Sequence, residues 1–93
     1  MMSIKSQESP IIVKTWQVSA CPEPTRSDVR RMTEVIERQG QIEPLQVREI
    51  ESVGDVRMFE TFMTDVWGSA ILRAAHLLNW DNILVVVMRR YEQ

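Results

Sequence analysis

Gly68 and Ser69 stand at the head of an apolar helical pattern, with Arg73 one turn further on. A helix that begins at a glycine offers unpaired backbone N–H groups, and a hydroxyl beside them adds a donor, so the pair could hold a phosphate. The plainer reading is a glycine chosen for close packing in a buried helix, since Arg73 is the nearest cation. His76 is the single histidine. Asp65, Ser69, Arg73 and His76 follow at steps of four, four and three, which puts them on one helix face. Acid–base chemistry could use such a set. An amphipathic helix also turns such a stripe toward solvent, and that is the expectation adopted. One His among scattered carboxylates lacks the spacing of a metal site, so no metal ligand and no catalytic residue is assigned.

Three further groups bear on function. Glu43, Glu49, Glu51, Asp55 and Glu60 gather around one hairpin, where a nuclease would need paired carboxylates on a metal. Solvated hairpin faces carry such charges routinely. Arg26, Arg30, Arg31 and Arg38 bias one helix toward positive charge, and Arg89 and Arg90 follow near the end. They are candidates for phosphate contact with DNA, although Glu34 and Glu37 dilute the helix. Trp16, Met58, Phe59, Phe62 and Trp67 supply more large apolar groups than one sheet face buries easily. They are candidates for a self-association or partner surface, with ordinary core as the competing reading.

The elements that must position these residues follow from composition and periodicity. The chain has 93 residues, 44% apolar and 26% charged, which suits one soluble domain with little disorder. Eleven Lys and Arg against 13 Asp and Glu give a net charge of −2, which removes the global argument for nucleic-acid binding. The apolar runs are too short for a membrane helix, and the polar start lacks a signal sequence. The lone Cys21 makes no internal disulfide. A cytoplasmic setting is expected.

Residues 1–10 are expected as a flexible arm and 11–91 as one domain. Ile11 to Val18 reads as a strand, and Pro22 and Pro24 make the loop after it. Ser27 is expected to cap a first helix whose Val29, Met32, Val35 and Ile36 share a face, with Gly40 ending it. Two strands, from Leu45 and from Val56 to Met63, flank a turn at residues 52–55 and are expected antiparallel. Thr64 or Asp65 caps a second, largely buried helix from Val66 to Leu78. Ile83 to Met88 is continuously apolar, as in a strand covered on both faces with a parallel neighbour. The order β-α-β-β-α-β gives an α/β (α+β) fold with a small mixed sheet, and a ferredoxin-like arrangement shares that order.

Two segments carry a resemblance. The amphipathic helix leads into Gly40-Gln41-Ile42-Glu43-Pro44-Leu45-Gln46-Val47-Arg48. The stretch Gly68 to Trp80 then leads into the apolar strand Ile83 to Val87. In order and spacing these resemble the ParB N-terminal and sulfiredoxin-like (ParB-like nuclease domain) family over roughly residues 11 to 88. The resemblance implies that family's fold. It also implies a nucleotide or phosphate site at Gly68, Ser69 and Arg73 with Gln41 and Pro44 opposite, and a DNA-related setting such as plasmid, phage or partition biology. The active-site motif is degenerate. Ser69 stands where sulfiredoxins carry the catalytic cysteine, and a serine does not replace that thiolate. Ala70 and Ile71 stand where ParB-type proteins place charged side chains on phosphates. Thr64 to Trp67 also lengthen the approach, which would move Gly68 inside the first helical turn. The expectation is a non-catalytic binding protein without a bound cofactor, acting through a second copy, a protein partner or nucleic acid. The alternative is a nucleotide hydrolase or nuclease with an unorthodox site.

Overall fold

The computed structural model describes residues 5–7, 9–41, 43–62 and 65–90, with side chains for 9–41, 43–62 and 65–88. Ile42, Met63, Thr64 and the Arg89 and Arg90 side chains, named above in a motif, strand, cap or basic end, lie outside that set, as do residues 1–4 and 8 of the expected arm and 91 of the expected domain. The elements run β1 (Lys5–Gln7), β2 (Ile11–Lys14), a 3-10 turn (Thr15–Gln17), β3 (Val18–Ser19), α1 (Arg26–Gln39), β4 (Leu45–Val53), β5 (Val56–Thr61), α2 (Val66–Leu77) and β6 (Asn82–Arg90). They form a mixed α+β fold with one sheet and two helices.

The sheet order is β1-β6-β4-β5-β3, and β2 also pairs with β6. Lys5–Gln7, expected within the arm, pairs antiparallel with Met88–Arg90, and β2 pairs antiparallel with Asn82–Val85. The two therefore line successive stretches of one edge. On the other side of β6, β4 runs parallel through Leu45↔Val85 and Val47↔Val87. The parallel neighbour expected for the apolar strand is present, and β6 lies inside the sheet. β4 and β5 form the expected antiparallel hairpin, with Gly54 at φ +62° in the turn, a conformation that suits glycine.

β5 and β6 flank α2 yet run antiparallel, as follows from their opposite senses against β4. α2 is therefore no crossover between parallel strands, and the ferredoxin-like split βαβ is not formed. β2 and β3 sit at opposite sides of the sheet, joined by three residues. Five strand positions laid flat would span about 19 Å, whereas the four steps from Lys14 to Val18 reach about 14 Å at most, so the sheet must curl.

The strand expected over 11–18 is interrupted at Thr15–Gln17. Thr15 leaves the ladder because its N–H donates to the Asp81 carbonyl at 3.0 Å and its hydroxyl to the Trp80 carbonyl at 2.6 Å. Those bonds tie the turn to the end of α2. α1 starts one turn's edge earlier than expected: Thr25, not Ser27, is the N-cap, accepting from the Asp28 N–H at 3.2 Å. It ends at Gly40, φ +75°, whose N–H reaches the Ile36 carbonyl at 2.7 Å. α2 ends in a Schellman arrangement. Asn79, φ +60°, donates to the His76 carbonyl and Trp80 to the Ala75 carbonyl, at 3.1 and 3.0 Å.

The helices cover one face of the curled sheet. Val47, Phe59, Leu72, Ala74, Ala75 and Val85 are fully buried between them. The paired alanines of α2, Ala74 and Ala75, both lie in this core. Val86 is buried on the other side of β6, so that strand is covered on both faces as its continuous apolar run implied.

Candidate functional site

The start of α2 is closed by the protein's own carboxylate. Asp65 is the N-cap, and its Oδ1 accepts the Gly68 N–H at 2.8 Å. Gly68 thus lies inside the first turn, as the lengthened approach implied. A Cβ on Gly68 would run into the Asp65 carboxylate, so glycine is what lets that carboxylate fold over the helix end. An anion approaching here meets a negative charge and an N–H already in use.

Ser69 is fully buried. Its hydroxyl lies 2.8 Å from the Thr61 hydroxyl and 3.4 Å from the Cys21 carbonyl. Arg73 turns away from Gly68. Its Nε and Nη2 make a two-point ion pair with Glu23, at 2.9 and 2.8 Å. Its Nη1 donates to His76 Nδ1 at 3.0 Å. A guanidinium only donates and a carbonyl only accepts, so His76 carries its proton on Nε2, which faces the Thr15 carbonyl at 3.3 Å. Both ring nitrogens are engaged in holding α2 to its neighbours. Of the face Asp65-Ser69-Arg73-His76, expected as a solvated stripe, Ser69 and Arg73 instead meet the β3–α1 loop and His76 the 3-10 turn, while Asp65 borders the cleft between α1 and α2. Sequence periodicity could not show this, because the loop that covers the stripe is far away in the chain.

Gln41, Pro44 and Gly68 do come together. They line a half-open cleft of about 570 Å³ between α1, α2 and the start of β4, whose walls include Met32, Val35, Trp67 and Ile71. Ser69 and Arg73 are not among its lining residues. Gln41 works as a piece of strand: its Oε1 accepts the Leu84 N–H at 2.9 Å, and its Nε2 donates to the Leu84 and Glu43 carbonyls at 2.7 and 3.0 Å. The lining carries two carboxylates, Glu43 and Asp65, and no Lys or Arg among the described residues. The groups a triphosphate would need are engaged within the protein, and the charge here is of the wrong sign, so the residues present do not fit a nucleotide.

The other candidates separate. Arg26, Arg30, Arg31 and Arg38 are exposed on α1 but do not share one face. Arg26 and Arg30 border a groove with Glu23 and Glu34, whereas Arg31 lies over the Trp67 ring at 5.8 Å. Trp16 and Trp67 are exposed, Met58 and Phe62 half-buried. Phe59, expected at an interface, is core and fully buried, because the pleat of β5 turns it inward with Thr61. The hairpin carboxylates act as cross-strand partners: Glu60 pairs with Arg48 directly opposite, and Glu49 holds Arg57 through two bonds at 3.0 and 2.9 Å. Among the described residues no three His, Cys, Asp or Glu gather as a metal would require. None of the described helices is long and apolar enough to cross a membrane.

Sequence reasoning missed the closing role of Asp65 and the place of Glu43 and Trp67 in the cleft. The signal for the first was present, an acidic cap three residues before a glycine. Comparison with known protein families, curated proteins and solved structures finds no match.

Proposed function

We propose that this protein is a small, non-catalytic binding module of ParB-like fold that works in the cytoplasm through contacts with another protein, in a DNA-related setting. The observation that supports this reading is the Asp65 carboxylate seated on the Gly68 N–H. Where the resemblance implies a nucleotide's phosphates, this chain puts a negative charge of its own. The buried Ser69 hydroxyl and the Glu23-bound Arg73 agree with it, since neither side chain reaches the cleft. Each charge-assisted bond so withheld is worth about 1.5–3 kcal/mol, so two absent ones weaken a triphosphate by roughly two to four orders of magnitude.

The test is titration calorimetry with CTP and ATP in the presence of Mg²⁺, repeated on Arg73→Ala. No heat of binding in either protein is expected. Micromolar binding that disappears in Arg73→Ala would overturn the reading and favour a nucleotide hydrolase.

A further inference from the structure

We infer that the cleft between α1 and α2 docks a basic–apolar peptide segment of a partner protein, a reading that deepens the binding-module proposal and rests on it. The cleft's volume, about 570 Å³, lies in the range of recognised ligand sites, roughly 300–1,000 Å³. Its walls are apolar: Met32 and Val35 from α1, Trp67 and Ile71 from α2. Its charges are Glu43 and Asp65. The Glu43 carboxylate has no partner among the described residues, and a carboxylate such as Asp65 keeps acceptor capacity after taking one N–H. Apolar walls with two carboxylates and no lining cation reject acidic ligands and suit an apolar side chain next to a lysine or arginine.

One further observation favours a peptide over a free amine. The cleft is half open, so a small amine would stay wet on one side, whereas a chain segment covers the opening with its own backbone. Arg31 of this chain already stands over the Trp67 ring at 5.8 Å, so a partner's cation is left to Glu43 and Asp65. The net charge of −2 adds weak attraction for a basic segment.

The experiment uses the full chain against an array of ten-residue peptides with randomised positions, alongside the nucleotide titration described above. Enrichment of a large apolar residue beside Lys or Arg is expected. Glu43→Lys changes an exposed side chain and should weaken the enriched peptides about tenfold or more, with higher salt weakening the unaltered protein in the same direction. Val35→Arg puts a cation in the wall and should abolish binding, with a thermal melt to confirm that the variant is folded. No enrichment, enrichment of acidic peptides, or affinities unchanged by Glu43→Lys would overturn the assignment while leaving the non-catalytic reading standing. A dimer in sedimentation that Val35→Arg dissociates would also overturn it, giving the cleft to a second copy. Nucleotide binding would instead remove the underlying reading.

Discussion

The Thr61 and Ser69 hydroxyl oxygens lie 2.8 Å apart, and both reach the backbone of Cys21. Thr61 accepts the Cys21 N–H at 2.9 Å, and either hydroxyl can return a proton to the Cys21 carbonyl. Two buried side chains thus fix a loop that has no ladder of its own. Ser69 is a fastener of the β3–α1 connection, which explains why it points away from the cleft.

Thr61→Val is expected to cost about 1–3 kcal/mol, because it leaves the Cys21 N–H without its acceptor. Ser69→Ala removes its contacts to Thr61 and to the Cys21 carbonyl but leaves Thr61 able to serve both Cys21 groups, so its cost should be smaller, about 1 kcal/mol. Urea denaturation of both variants ranks them. Equal midpoints would show that the three groups do not act as this chain of bonds.

Asp65 and Gly68 should be coupled. In the native background Gly68→Ala is expected to give no gain in stability, since its Cβ would displace the capping carboxylate. In an Asp65→Ala background the same change should stabilise by about 0.5–1 kcal/mol, the ordinary preference of a helix for alanine. A double-mutant cycle with no coupling would refute the account of why glycine stands here.

Asn79→Ala should cost about 1–2 kcal/mol, while Asn79→Gly should be neutral or better, because φ of +60° is strained for a residue with a Cβ. Equal melting temperatures for the two variants would contradict the left-handed cap.

Ala74→Leu is expected to cost roughly 1–3 kcal/mol by overpacking the helix–sheet contact, as Ala74 is fully buried in the core. An unchanged thermal midpoint would mean that the interface has slack.

Ile12 and Trp16 leave 71% and 62% of their surface exposed at the β2 end of the sheet. We expect self-association through this edge, weakened by Trp16→Ser without loss of fold. Sedimentation showing only monomer at concentrations on the order of 100 μM would remove the idea, since useful assembly is at least micromolar.

What could be read from the residues was local. Gly40 as the stop of α1, a cap of α2 at Thr64 or Asp65 and the buried character of β6 rest on patterns within a few residues, and Asp65 is the cap. What could not be read depends on distant partners. The break at Thr15 needs the Trp80 and Asp81 carbonyls, and the Gln41 side chain takes the place of a strand only because Leu84 lies beside it. The α2 polar face reads as solvated until Glu23 and the Cys21 loop are seen over it. Gln41, Pro44 and Gly68 line one cleft without Ser69 and Arg73, and its charge turns on Glu43 and Asp65, which periodicity does not set against each other.

β6 is the strand on which the sheet is assembled, with β2 on one edge and β4 on the other. It is also translated after every other element described. Until residues 82–90 leave the ribosome, β2 has no ladder and Val47 has a neighbour on one side alone. Nascent chains stopped before Asn82 should therefore stay open to proteases, and the tertiary structure should form in one late, non-local step. A cell making this protein must shelter β2 and β4 until β6 has been made.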